Sequence, residues 1–274
     1  MSKTASKVII YILLIMIAII SIFPFIWVFV AVTHNNTQIF DVNYTMVLGG
    51  KFVQNFNTLK QSIPILQNLF NSVFSTVVFT FLTLLIDSMA GYGFTKFKFK
   101  GRDVLFFCCL ITMMIPTQVT MVPLFIQMTK MHWVNSLWAI IIPNLSAMFG
   151  VFLMRQSMAS FPDELIEASR IDGAGELHTF FGIVLPTMKA SLASLAILTF
   201  VQQWGNYMWP LIVLNDSSKY TLPLSLAMLF QPSNTINYGS IMVGAVIAIL
   251  PVLIFFLIFQ KNFIEGLLSG AVKG

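Results

Sequence analysis

Few side chains in this 274-residue chain could do chemistry, and half of its ten acidic residues crowd into one stretch. Asp163, Glu164, Glu167, Asp172 and Glu176 all lie between positions 155 and 189. Pro162 suits a first helical position, where its missing N–H costs nothing. Asp163 and Glu164 then complement the helix dipole, and Gly173 is a natural stop. A second short helix is expected from position 176 to about 184, ending before Pro186. The chemistry on offer is a charge-assisted contact with a basic partner. Elsewhere the candidates thin out. Asp87 is the only acidic or basic residue within an apolar stretch, where an acid is a candidate for a proton or a substrate hydroxyl, or else pairs with a base or meets water. Gln202, Gln203, Trp204, Gly205, Asn206 and Tyr207 form one polar and aromatic run, with Trp209 beyond it. Rings and amides of this kind stack on and hydrogen-bond to sugars, but Trp and Tyr equally mark membrane interfaces. Both readings stay open.

No catalytic constellation emerges. His34, His132 and His178 are far apart and lack ligand spacing. Cys108 and Cys109 are neighbours, which neither bridge readily nor make a zinc site. No nucleophile stands beside a base. The phosphate-binding pattern Gly-x4-Gly-Lys-Ser/Thr is missing, since Gly49-Gly50-Lys51 is followed by Phe52 and lacks the earlier glycine. ATP chemistry is therefore not expected in this chain, nor is any metal or other cofactor.

The elements that must carry these residues are membrane helices. Hydrophobic residues make up 57% of the chain and charged ones only 9%, against about a quarter charged in soluble domains. Most of the surface must meet lipid. Six apolar stretches long enough to span a bilayer fall at 8–31, 68–91, 104–128, 137–154, 192–213 and 240–259. The first has too long an apolar core for a signal peptide and is expected to be retained. Pro24, Pro116, Pro123, Pro143 and Pro251 fall within spans and favour kinks. The expectation is an all-α polytopic protein with six transmembrane helices: residues 1–67 supply the first helix and an outer loop, and 68–274 a five-helix core with an inner loop at 155–190.

Charge sets the orientation. With the N-terminus inside, Lys3, Lys7, Lys96, Lys98, Lys100, Arg102, Arg155, Arg170, Lys189, Lys261 and Lys273 are cytoplasmic, and only Lys51, Lys60, Lys130 and Lys219 lie outside. That asymmetry puts both termini in the cytoplasm. The formal charge of +5 reads as topology, not as nucleic-acid binding, because no basic run is interleaved with aromatics.

Spacing adds a resemblance. Glu167-Ala168-Ser169, then Gly173 three residues on, then Ile183-Val184-Leu185-Pro186 after nine more, resembles the Glu-Ala-Ala signature of permease subunits of ABC importers. Ser169 replaces the second Ala, and Ala190 stands where the family often has Pro, which should shift only the start of span five. Arg170-Ile171-Asp172-Gly173-Ala174, Ala90-Gly91-Tyr92-Gly93-Phe94, Phe99-Lys100-Gly101-Arg102 and the tail from Gly266 to Gly274 are similar to its carbohydrate branch, in the maltose-type second-permease form. The resemblance implies a type I importer permease fold in the bacterial cytoplasmic membrane. It implies a second homologous permease, an ATPase dimer that binds ATP and Mg, an extracellular solute-binding protein facing the 33–67 loop with its Asn35, Asn36, Asn43, Asn55 and Asn57, and a sugar, expected to be an oligosaccharide, as cargo. Glu167, Ala168, Ser169, Asp172, Gly173, Ile183, Leu185 and Pro186 would dock the ATPase; Gln203, Trp204, Asn206, Tyr207 and Asp87 are pathway candidates. The alternative, a secondary sugar or ion symporter, needs more polar pairs within the spans than Asp87 supplies.

Overall fold

The computed structural model describes residues 3–41, 44, 46–231 and 236–271. Asn43 and residues 272–274 of the tail, Lys273 included, lie outside the described residues. Among those described the chain is helical and carries no strand. In order come α1 (Lys3–Ala31), α2 (Asn36–Ile39), α3 (Phe52–Ser62), α4 (Ile65–Lys96), α5 (Arg102–Ile111), α6 (Thr117–Lys130), α7 (Leu137–Ile141), α8 (Met148–Ala159), α9 (Asp163–Ile171), α10 (Glu176–His178), α11 (Leu185–Thr187), α12 (Lys189–Trp204), α13 (Met208–Val213), α14 (Leu222–Met228) and α15 (Tyr238–Ala271).

Three helices are long and apolar enough to cross a membrane unbroken, within α1, α4 and α15. Three bent helix pairs are each apolar enough to make one further span, which brings the total to six when each pair is taken as one. α5 with its trailing 3₁₀ turn meets α6 at 98°, α7 with its 3₁₀ turn meets α8 at 47°, and the 176–187 segment meets α12 at 84°. Two breaks fall at expected prolines: Pro116 precedes α6 in an extended conformation, and Pro143 sits in the turn after α7. Pro24 and Pro251 lie within continuous helices.

The chain forms two compact units, Met1–Ile65 with Ser225–Leu250, and Leu66–Leu224 with Pro251–Gly274. In the first, short polar bonds tie the helix ends. Asn55 Nδ2 donates to Val32 O (2.9 Å) and His34 O (2.8 Å), and Asn36 Oδ1 accepts from Tyr238 N (2.8 Å). Gly239 sits so close to Asn55 that a side chain there would collide.

In the second unit, lipid removes the hydrophobic reason for helices to associate, and small or hydrogen-bonding residues take its place. α4 illustrates this with a buried polar stripe through Asn68, Ser72, Ser75, Thr76, Thr80, Thr83 and Asp87. Leu222 N donates to Ser72 Oγ at 2.7 Å, and Asn71 Nδ2 donates to Ser218 O and Tyr220 O at 2.9 and 3.0 Å. Near its end, a Cβ on Gly91 would stand 2.8 Å from Met154 Cβ, so α4 and α8 touch almost backbone to backbone.

Candidate functional site

Two places gather the residues singled out by sequence. The first is the polar loop. α9 begins one residue later than its proline suggested: Pro162 is the extended N-cap, and Asp163 and Glu164 occupy the first turn. The helix ends in a Schellman motif: Gly173 N donates to Arg170 O (3.1 Å), and Ala174 N to Ser169 O (3.0 Å). Gly173 takes φ +81°, the left-handed region open mainly to glycine. The chain then folds back through α10, a π-helical stretch at Thr179–Val184 and α11. The second helix thus runs through Pro186 to Thr187, because Pro186 opens a fresh turn after the π-helical segment and has no N–H to place within it. α12 starts at Lys189, just before Ala190.

The faces of α9 divide cleanly. Ile166 and Ser169 are buried, whereas Glu164, Glu167, Ala168 and Ile171 are exposed. Ser169 shares a 2.8 Å hydroxyl hydrogen bond with Thr179, the small side chain letting the two short helices meet. Beneath them Tyr92, Met154, Met158, Phe161, Ile166, Phe180, Val184 and Leu195 form one packed cluster. Ile183 and Leu185 pack on it, while Asp172 and Pro186 are exposed. Ile171, by contrast, is 85% exposed beside Glu167, and Leu165 and Leu177 are also exposed. Glu167 thus stands among uncovered apolar side chains, a combination found at many partner-binding surfaces.

Polar bonds fasten this loop to α4. Lys96 Nζ donates to Asp163 Oδ1 (2.7 Å) and Phe161 O (2.6 Å). The ammonium beside Asp163 holds its carboxyl below the usual carboxylate range, chiefly through that hydrogen bond. Glu176 accepts from Arg170 Nε (2.7 Å) and from the Tyr92 hydroxyl (3.2 Å). The sequence placed Lys96 only among the cytoplasmic basic residues and Tyr92 only within the Ala90–Phe94 resemblance. Their one local signal was position, at the end of a long apolar helix.

The second place is a cavity of about 720 Å³ within the second unit. Interrupted helices open onto it: Ile115 at the α5–α6 break, Pro143 to Ala147 at the α7–α8 break, and Asn206 between α12 and α13. Irregular backbone at membrane depth is tolerated where it lines such a space. Gln203 and Asn206, three residues apart, both line it, together with Gln202 and Trp209. Gln203 Nε2 and Trp209 Nε1 also donate to Ile140 O (3.2 Å) and Ala139 O (2.8 Å), which fixes them as wall. Trp204 lies elsewhere, buried and stacked parallel to Phe200, and Tyr207 is exposed.

Asp87 is fully buried near this cavity without lining it. Its carboxyl packs against Gly150, where a Cβ would collide with it. Neither oxygen completes a hydrogen bond, and the Thr80, Thr83 and Ser88 hydroxyls are likewise without partners in the structure. Ser146, held at φ +66° on the cavity wall, faces the carboxyl without closing a full bond. Gly150 escaped the sequence reading because nothing local marks which neighbour requires it.

The family of binding-protein-dependent transport system inner membrane components matches residues 84–268. The chain belongs to this family. Relatives align over nearly their whole length. The arabinooligosaccharides transport system permease protein AraQ of Halalkalibacterium halodurans is 39% identical over 261 residues, covering 94% of this chain and 93% of its own. The lactose transport system permease protein LacG of Rhizobium radiobacter is 37% identical over 266 residues, covering 96% and 95%. The sn-glycerol-3-phosphate transport system permease protein UgpE of Yersinia enterocolitica is 29% identical over 94% and 95%. A bacterial ABC transporter involved in the import of the acidic polysaccharide alginate has the same fold, with a TM-score of 0.82 over 96% of this chain and 98% of the other at 22% identity. The protein is thus a multi-pass transport permease with the type I importer fold, not a catalytic enzyme. Asp87, the polar loop and most of the cavity wall fall inside the matched region of this permease.

Proposed function

We propose that this permease forms half of the membrane pore of an ABC importer that moves a sugar into the cytoplasm, energised by a separate ATPase. The observation that carries the reading is the loop at 163–187, where Glu167 and Ile171 are exposed on a helix locked to α4 and to the packed cluster beneath it. Such a helix transmits a push as a rigid lever. An ATPase cleft would receive Glu167 on a basic group and Ile171 in an apolar socket. Gly173, Asp172 and the Ser169 contact set the angle at which the lever is offered. ATP and Mg would be held by the ATPase dimer, a second homologous permease would complete the pore, and a solute-binding protein would deliver cargo to the 33–67 face. Both termini would lie in the cytoplasm of a bacterial cell.

Cargo class rests on relatives whose names state arabinooligosaccharides and lactose, and on the amide- and hydroxyl-rich cavity, where Gln203 and Asn206 serve as wall. ATP binding and release would shift the permease between outward- and inward-open populations, this chain performing no chemistry of its own. The test is uptake in cells or proteoliposomes carrying Glu167→Lys or Gly173→Pro. Both should abolish ATP-driven uptake while membrane insertion persists, and vanadate should stop the wild type. Wild-type uptake by either variant rejects the docking role, and vanadate-resistant uptake points to a symporter instead.

A further inference from the structure

Building on the import reading above, we propose that the cavity accepts an uncharged saccharide and turns away anionic solutes such as sugar phosphates and uronates, with Asp87 enforcing the choice. Its volume of about 720 Å³ falls in the roughly 300–1,000 Å³ range of small-molecule sites. The polar groups offered by Thr112, Thr117, Thr120, Gln202, Gln203 and Asn206 are hydroxyls and amides, and among the described residues no Lys, Arg or His lines the cavity. Sugar hydroxyls both donate and accept, and such groups meet them in either sense. An anion leaving water for the same space finds no cation to replace its hydration, which is costly.

One part of the wall could still attract an anion. The amino end of α8 reaches the cavity at Ala147, Met148 and Phe149, and no side chain of its own caps it. Helix amino ends carry partial positive charge. The permease answers this with its own carboxyl: Asp87, wholly buried and otherwise unbonded, is pressed against Gly150 in that first turn. Gly150 is the residue that leaves room for it, and any side chain there would push the carboxyl away. Asp87 also faces Ser146, which lines the cavity, so acceptor oxygens and not a cation stand behind that wall.

The test uses the complete transporter with its binding protein in proteoliposomes loaded with ATP. Uptake of labelled neutral pentose and hexose di- and trisaccharides is compared with uptake of sn-glycerol-3-phosphate and a diuronate. Wild type should take up a neutral probe and exclude both anions. Asp87→Asn, nearly isosteric, should raise the anion-to-neutral ratio by about threefold, the scale of a helix-end charge interaction. Asn206→Lys, which supplies the missing cation without touching the α4–α8 contact, should move the ratio the same way and keeps the test open if the first variant fails to assemble. The binding protein is common to all samples, so a shifted ratio belongs to the permease. Anion uptake by wild type at the neutral rate overturns the proposal, and an unchanged ratio in both variants overturns the part assigned to the wall charge. ATP-independent uptake, or no uptake of any probe, rejects the import reading itself.

Discussion

Gly173 is the residue whose role follows most directly from its backbone. Its φ of +81° lies where a side chain meets its own carbonyl, yet nothing stands within 4 Å of the place a Cβ would occupy. The cost of Gly173→Ala is therefore conformational alone, about 1–2 kcal/mol, and should appear as a lowered midpoint in thermal unfolding of the detergent-purified permease. Ser169→Ala removes the bond to Thr179 Oγ1, which keeps its own 3.2 Å bond to Gly175 O. That change should cost about 0.5–1.5 kcal/mol and leave uptake intact, since Ala fits the same close approach. A bulky Leu at 169 should not be tolerated. At this scale the sequence was informative where a residue's role is local: glycine as a stop, Asp163 and Glu164 as first-turn acids. It was silent where the role depends on a distant partner, as with Gly150 beneath Asp87.

Among the elements, the α9 lever depends on its tie to α4. Lys96→Met deletes two bonds, to Asp163 Oδ1 and Phe161 O, and should speed hydrogen exchange across 163–171 while α9 itself persists. The tie is also acid-sensitive, with a definite sign. Because the Asp163 carboxyl titrates below its ordinary 3.8 in the folded protein, its contribution is complete above that value and fades only as pH falls through the lowered one. Exchange protection of α9 should hold on mild acidification and fail only in strong acid. Protection lost between neutrality and pH about 5 would contradict this. A second element-scale prediction concerns Gly91: Gly91→Ala pushes a methyl to 2.8 Å from Met154 Cβ and 2.9 Å from Arg155 N, and should cost about 1–3 kcal/mol as overpacking. Hydropathy located five of the spans, and Pro116 and Pro143 marked two of the bends; the fifth, expected at 192–213, instead breaks after Trp204, and its helix pairs with the 176–187 segment. The 84° turn at Met188 was hidden, because Pro186 pointed to a stop two residues early and no proline occupies position 190. The run at 202–207 read as one feature along the sequence. The end of α12 and the break after it divide the run, leaving Gln202, Gln203 and Asn206 on the cavity and Trp204 in the packing against Phe200.

For the whole molecule, charge distribution predicts which side each loop occupies. A cysteine introduced at Asn57 should react with a membrane-impermeant maleimide in intact cells, and one at Glu167 only after permeabilisation. Reversal of that pattern would overturn the assigned orientation. The helix α1 has a further consequence. Its residues 7–26 are all exposed, and its best window has a mean hydropathy of 3.0 with none of it buried inside the chain. It needs no sibling helix to be stable in lipid, unlike the bent pairs, whose breaks require surrounding protein. During synthesis it should therefore leave the translocon without waiting for the later helices of this chain, and the charge rule predicts that Lys3 and Lys7 hold its amino end on the inner side. Later segments of this chain would then enter a membrane in which α1 is already placed, so a helix that buries only Val30 and Ala31 among its described side chains would bear on the order in which the rest is made.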